Sequence, residues 1–578
     1  MAKSKPEIQG EYDVAVIGSG FGGSVAALRL TEKGYRVLVI EAGSRFEDTD
    51  FAKTSWQLRK YLYFPRLGLR GIQRIDFLSN VLVMSGAGVG GGSLVYANTL
   101  YRPPTEFFKT GSWAGMRDWQ TDLAPHYATA EKMLGVVQNP FFSPADLVLK
   151  RAAERGGYGN TYTPTPVGVT FEVPADAPGQ DPHFGGRGPA RSACLNCGEC
   201  MTGCRHGAKN TLVKNYLYFA EKAGAQVIAD TTVQLIEQLP ADDSDKPTGY
   251  RLHLRPSNAS PRTRRGARVL DVPQVIVAAG ALGSAKLLQR SRAAGGLPGI
   301  SDKLGHLSRT NSESLLGVVS RDDTVDYSQG SAITSSYFPD EHTHIESVRY
   351  GKGSNFMALM ESIMSSGKKG QAPNFGLLIW NTLKNLHRLP KFYNLRHWSE
   401  RTLILLVMQS ADNSLSTFLK RGIFGKKLSS RQGLGKPNPA WVKVGHEAAR
   451  DLAKDMNGTP GAVITEPFGI PMTAHFLGGC VIADSPEKGV VDPYLRAFGV
   501  PGLHIFDGST LSANPGVNPS LSITAQAEWA CAHWPNRGEG DARPGLGFRF
   551  APIKATAPRV PLVPVVAPAA LRIPISPL

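Results

Sequence analysis

The chain is predicted to be an α/β protein: a discontinuous Rossmann-type dinucleotide-binding domain with a second, mixed-sheet domain set into it. Three observations carry this. Residues 11–43, EYDVAVIGSGFGGSVAALRLTEKGYRVLVIEAG, place two apolar runs around an amphipathic segment with Gly18, Gly20 and Gly23 at the first turn, a strand, helix, strand pattern. A second glycine-rich stretch follows at 84–98, MSGAGVGGGSLVYAN, and strand-then-turn patterns return near residues 276 and 503. At 578 residues the chain is too long for one ordinary core.

Each glycine of the first turn has a physical task. Gly18 allows the tight turn, Gly20 lets backbone approach a pyrophosphate, and Gly23 lets the helix pack closely with its N-terminus toward the phosphates. Glu41 ends the second strand and can hydrogen-bond a ribose diol, which favours FAD or NAD over NADP. The glycines of the second stretch suit a cofactor longer than a simple nicotinamide domain needs. VIVAAGALGSAKLL, closed by Gly280 and Gly283, and LHIFDGSTLSANPGVNPSLSITAQAEWA complete one discontinuous cofactor domain.

Hydrophobic residues make up 42% and charged residues 19%, with 63 Gly and 41 Pro, as in a loop-rich globular enzyme. The net charge of +16 attracts anions, yet the basic residues are scattered through Arg59–Arg74, Arg262–Arg268 and Lys420–Lys436 with no nucleic-acid motif, so no nucleic-acid partner is expected. No run reaches the roughly 18 to 20 apolar residues that span a bilayer, and MAKSKPEIQGEYDVAVIG enters a strand without a signal peptide's apolar stretch. A cytoplasmic protein with peripheral membrane contact is the expectation. Phe375–Trp398, FGLLIWNTLKNLHRLPKFYNLRHW, mixes apolar and basic residues, as would either a lid resting on an anionic membrane or a core helix with a basic rim. After residue 535 the chain becomes rich in proline and alanine.

Four of the six cysteines, Cys194, Cys197, Cys200 and Cys204, stand in ACLNCGECMTGCRHGAK. The C-x-x-C-x-x-C-x-x-x-C spacing points to an iron-sulfur cluster, with zinc and a structural clasp or disulfides as alternatives. The compactness of the run disfavours zinc, which usually joins two separated pairs of ligands. A cluster would carry electrons to an outside acceptor, whereas a clasp would leave them for oxygen.

GSGFGG with Glu41, GVGGGSLV, AAGALGS, the His475 segment AHFLGGC, and DGST through GVNPSLSITA resemble, in order and approximate spacing, the motif series of the glucose-methanol-choline flavoprotein oxidoreductases. Within that family AHFLGGC and GVNP are most similar to the actinobacterial cholesterol oxidase-like branch. The resemblance implies bound FAD and oxidation of an alcohol to a carbonyl by hydride transfer, without nicotinamide. It implies cofactor contacts from Gly18, Gly20, Phe21, Gly22, Gly23, Glu41, Gly88, Gly91, Gly92, Asn98, Val233, Gly280, Asp507 and Gly508. His475 is similar to the family's histidine that accepts the hydroxyl proton, a task suited to an imidazole. Asn518 is similar to the amide that contacts the substrate oxygen or reduced flavin, though it could instead cap the following helix. Glu346 stands roughly where cholesterol oxidases place the glutamate that isomerises a ring double bond; an exposed carboxylate salt-linked to Arg349 and Lys352 is the alternative. Phe476, Ser520 and Tyr96 depart from the family pattern near the flavin.

The domain reading assigns 11–140, 206–300 and 466–535 to FAD binding, 141–190 and 301–465 to substrate binding, 191–205 to the cysteine-rich insert and 536–578 to a tail. The expected reaction is oxidation of a bulky hydrophobic secondary alcohol, foremost a 3β-hydroxysteroid such as cholesterol, with oxygen or a redox acceptor. The alternatives are an iron-sulfur-linked dehydrogenase of another alcohol and a flavin-containing membrane- or partner-binding protein with little turnover.

Overall fold

The computed structural model describes residue 8 and residues 10–571, apart from 174–179, 241–247, 260–265, 368–370, 423–424, 436, 440 and 549. Part of the basic stretch at 262–268, Lys436 and the last seven residues of the tail lie outside the described residues.

The strands Val14–Ile17 and Val37–Ile40 are buried along their whole length and pair in parallel, Val14 opposite Val37 through Ile17 opposite Ile40. Aliphatic runs without a polar face suit strands covered on both sides. Gln226–Ile228 extends this sheet on one edge, and Gln274–Val277 and then Leu503–Ile505 extend it on the other, all in parallel. The sheet is therefore assembled from widely separated parts of the chain. Helix Phe21–Glu32 packs so closely that a Cβ at Gly22 would fall 1.8 Å from the Phe506 carbonyl oxygen, and one at Gly23 would fall 2.1 Å from that of Gly18. Helix Ser520–Ala532 lies against it, pinned by the buried Arg29 guanidinium, which reaches both Glu32 and Glu528 at 2.8 Å. The tail crosses the same helix, with Val560 N donating to Glu32 O and Val563 and Ala567 buried in the core.

The second sheet has seven strands in the order Glu361–Ile363, Gly458–Val463, Ser314–Ser320, Thr402–Gln409, Thr343–Val348, Ile333–Tyr337, Thr163–Pro164. Its pairings are antiparallel throughout, where a mixed sheet was expected. Antiparallel neighbours need no helical crossover. Alternation sets the two faces: Leu316, Val318, Leu403, Leu405 and Val407 pack with helix Lys443–Asp455 residues Ala449 and Leu452, while the intervening residues face the first domain.

Helix Phe375–Lys384 buries none of its residues; Phe375, Trp380 and Leu383 are each more than half exposed. The core-helix alternative does not hold for Phe375–Lys384, whose Phe375 ring meets only Phe468 among the described rings, although Phe392 and Trp398 further along the segment are buried. No helix among the described residues is long and apolar enough to cross a membrane.

Candidate active site

One cavity of about 880 Å³ lies between the two sheets, at the upper end of the range for cofactor and small-molecule sites. Its two walls differ in kind.

The wall on the parallel sheet is mainly backbone. Gly18, Gly20, Phe21, Gly22, Glu41, Gly91, Gly92, Val233, Gly280, Asp507 and Gly508 line it. Gly18 has φ +103°, and a Cβ there would strike the Ala278 carbonyl, so the turn demands glycine. Gly20 precedes helix Phe21–Glu32 with no side-chain cap, and a Cβ on it would meet nothing within 4 Å. The helix therefore offers its free N–H groups to open cavity, the arrangement that receives a pyrophosphate. Glu41 Oε2 accepts from Ser19 N (3.0 Å) and Ser19 Oγ (2.7 Å), and Oε1 from Gly43 N (2.8 Å); burial outweighs these bonds and raises its pKa. Asp507 is held by Ser284 Oγ and Ser509 N and is likewise raised by burial. An elongated space with a bare helix N-terminus and a carboxylate at the adjoining strand end fits FAD. Gly23, Gly88 and Asn98 do not line this cavity: Gly23 and Gly88 meet neighbouring protein atoms, and Asn98 lies on another cavity described below.

The wall on the antiparallel sheet is side chains. Glu346 pairs with Leu406, Leu406 with Leu315, and Glu361 with Val463; the Leu316–Ala462 pairing, carried one step, sets Leu315 beside Val463. These five residues form one row across the sheet, with a carboxyl at each end and hydrocarbon between.

His475, Asn518, Phe476, Ser520 and Tyr96 meet at the cavity. His475 Nδ1 lies against the Glu313 carboxylate, whose other oxygen accepts from Ala474 N at 2.6 Å. This leaves Nε2 as the free ring nitrogen. Glu313 follows two residues with left-handed backbone, Asn311 (φ 57°) and Ser312 (φ 49°), a strained turn of the sort that accumulates at functional sites. Asn311 also donates to Val517 O and accepts from Gly516 N, tying the loop before Asn518 to the histidine. Neither Glu313 nor Asn311 belongs to a motif, and only the turn conformation marks them.

Asn518 Nδ2 donates to Glu346 Oε2 at 3.3 Å, while its Oδ1 has no partner. The helix after it starts without a side-chain cap, so capping does not explain the residue. Glu346 is fully buried behind Asn518, and burial pushes its pKa up to about 8. The salt-linked alternative fails: Arg349 bonds Ser143, Thr334 and Gln329 and lies 3.8 Å from Asp146. His344, 3.8 Å from Glu346 and stacked on Phe338, is pushed down to about 3 by burial and stays neutral.

Behind the 96–99 segment, whose Tyr96, Ala97 and Thr99 line the main cavity, a second, small cavity is lined by Cys194, Cys197, Cys200, Cys204 and Asn98. All four thiols are free of disulfides. Among the described residues, the potential metal-binding atoms that lie in a group within 4.8 Å of one another are those of Cys197, Glu199 and His206, a group that does not include Cys194, Cys200 and Cys204. Lys209 Nζ donates to the Leu94, Tyr96 and Cys200 carbonyls, and Arg191 has no carboxylate at ion-pair distance among the described residues, although both are buried.

Models described as GMC oxidoreductase match residues 190–304 and 443–527, and one described as an NAD(P)-binding Rossmann-like domain matches 16–46. The chain is 52% identical over 579 residues to a cholesterol oxidase of Mycobacterium tuberculosis, covering 98% of this chain and 99% of that one. A cholesterol oxidase of Acinetobacter baumannii is 46% identical, covering 91% and 94%. Among solved structures, pyridoxine 4-oxidase from Mesorbium loti is similar in fold, with a TM-score of 0.57 at 15% identity over 90% of this chain and 98% of that one.

Proposed function

The chain belongs to the GMC oxidoreductases and is an FAD-dependent alcohol oxidoreductase, and from that premise we propose that it oxidises a 3β-hydroxysteroid such as cholesterol to the ketone. The observation that carries this reading is the pairing of His475, backed by Glu313, with a long apolar wall. The names of the close relatives point to a sterol and to oxygen as acceptor.

Oxidation removes a hydride from the carbinol carbon and a proton from its oxygen. FAD, when bound, supplies the hydride acceptor. His475 Nε2 takes the proton, because Nδ1 is engaged by Glu313, which orients the ring. Asn518 Oδ1, unpaired and facing the cavity, positions the hydroxyl. In an isomerisation that followed oxidation, Glu346, whose pKa burial raises to about 8, would act from its ionised form, taking a proton from one ring carbon and returning it to another.

The test is anaerobic addition of a 3β-hydroxysteroid to the flavin-loaded protein. The flavin band should bleach and return on admitting air, and His475→Ala should retain flavin while bleaching about 10²- to 10⁴-fold more slowly. No bleaching in the wild type removes the sterol.

A second reading of the acceptor is favoured by the buried, carboxylate-free Lys209 and Arg191 beside four thiols, since buried cations need a compensating negative charge. An iron-sulfur cluster held by Cys194, Cys197, Cys200 and Cys204 would supply it. In the same preparation, stoichiometric iron and sulfide with recovery only on adding an electron carrier would establish this reading; their absence would return the cysteines to a structural role.

Peripheral membrane contact is assigned to helix Phe375–Lys384, whose exposed Phe375, Ile379, Trp380 and Leu383 adjoin Lys384, Arg388 and Arg396. Trp380→Ser should weaken co-sedimentation with phosphatidylserine vesicles; equal binding would remove the assignment.

A further inference from the structure

We propose that Glu361 is a specificity-determining residue of the main cavity, and that the preferred substrates are 3β-hydroxysteroids with a second hydrogen-bonding oxygen at the far end of the ring system, received by the Glu361 carboxyl. The inference rests on the steroid reading above and narrows its substrate class.

Glu361 opens the edge strand of the antiparallel sheet and lines the cavity. Its Oε2 accepts from Trp398 Nε1 at 2.9 Å, whereas Oε1 is buried without a partner. A Cβ at Gly317 would come within 2.6 Å of Oε1, and one at Gly461 within 2.3 Å. Glycines on two neighbouring strands thus clear a niche into which the carboxyl turns, inward over the sheet and away from its edge. Any other residue at either position would close that niche. The rest of the row is Leu406, Leu315 and Val463, so Glu361 sets a single polar oxygen at one end of a hydrocarbon floor.

The register locates this oxygen relative to the chemistry. Glu346, hydrogen-bonded to Asn518, marks the reactive end on strand Thr343–Val348. The Glu361 carboxyl lies over the strands of Gly317 and Gly461, two to three strands away, which at the usual interstrand spacing is roughly 10–15 Å. A fused four-ring nucleus bridges such a separation, so a steroid with its 3-hydroxyl at His475 brings its D ring toward Glu361. Burial pushes Glu361 up to about 7, so near neutral pH the group is present in both forms and can donate to a ketone or accept from a hydroxyl. A hydrocarbon side chain in the same place leaves Oε1 unpaired, and a site built around such an atom discriminates against the analogue that cannot bond it.

The experiment compares kcat/KM of the flavin-loaded enzyme for three 3β-hydroxysteroids differing only at C17, bearing hydroxyl, ketone or hydrogen, in the wild type, Glu361→Gln and Glu361→Leu. The wild type should favour the oxygenated steroids by about tenfold to a hundredfold, chiefly through KM. Glu361→Leu should abolish that preference, and Glu361→Gln should retain part of it. No preference in the wild type overturns the inference without any variant having to fold. The same preference in wild type and Glu361→Leu also overturns it and reduces Glu361 to an anchor for Trp398. Failure of all three steroids to bleach the flavin removes the steroid reading itself, and the inference with it.

Discussion

The two walls of the main cavity recognise in opposite ways. On the parallel sheet, recognition is made by backbone: Gly18, Gly20 and Gly22 come from five consecutive residues, and their lack of side chains lets main chain, a helix N-terminus and a ligand approach one another. On the antiparallel sheet it is made by side chains: Leu406, Leu315, Val463 and Glu361 come from four strands spread over about 150 residues, and only pairing register brings them into a row. A cofactor shared by many enzymes suits a fixed local turn, whereas an individual substrate suits a wall in which each position can vary alone.

The contrast predicts unequal tolerance. The largest effect is expected on the backbone wall, where Gly22→Val would drive a side chain into the Phe506 carbonyl, 1.8 Å from the position of its Cβ. Neither atom belongs to a flexible side chain, so helix and strand must separate at the phosphate turn. The purified variant should lack flavin absorbance altogether. Leu315→Val, a smaller change in the hydrocarbon row, should keep full flavin content and alter only KM. Full flavin occupancy in Gly22→Val would break the comparison.

Legibility in the sequence divides along the same line. The first turn could be read because its residues are neighbours and its steric demands are local, and the motifs containing His475 and Asn518 stood out for the same reason. The structure brings those two residues to the cavity, with Glu346 buried and hydrogen-bonded behind Asn518. Glu313 was not readable: TNSESLL has no motif, and its meaning comes from two left-handed residues that aim it at a histidine more than 160 positions away. Glu361 was invisible because its role depends on Gly317 and Gly461, which are adjacent to it only in the folded sheet. Asn98, taken with the glycine motif it follows, has φ 70°; its amide faces Cys200 and the cysteine-lined cavity, so proximity in sequence misled where the chain turns over. The seven-stranded sheet was hard to foresee because its strands are short and far apart in the chain.

The smallest and sharpest test concerns the carboxyl at the reactive end of the row. Burial raises the Glu346 pKa to about 8 in the folded protein, against an unfolded value of about 4.3. Between these values the folded state holds a proton that the unfolded state has lost, so the contribution of Glu346 to stability falls as pH rises through this window and levels off above 8. The slope has an upper limit of about 1.4 kcal/mol per pH unit. Glu41 and Asp507, also raised by burial, act with the same sign, and Glu361 does so up to about 7. Comparison with Glu346→Gln isolates the one group: between pH 5 and 8.5 the variant should lose less stability in urea than the wild type, and the two curves should run parallel above pH 8.5. Parallel curves across the whole range would mean that the carboxyl titrates as an ordinary solvated acid. The raised basicity of the carboxyl behind Asn518 would then be lost, and with it the capacity of ionised Glu346 to hold a ring proton between its removal and its return in an isomerisation.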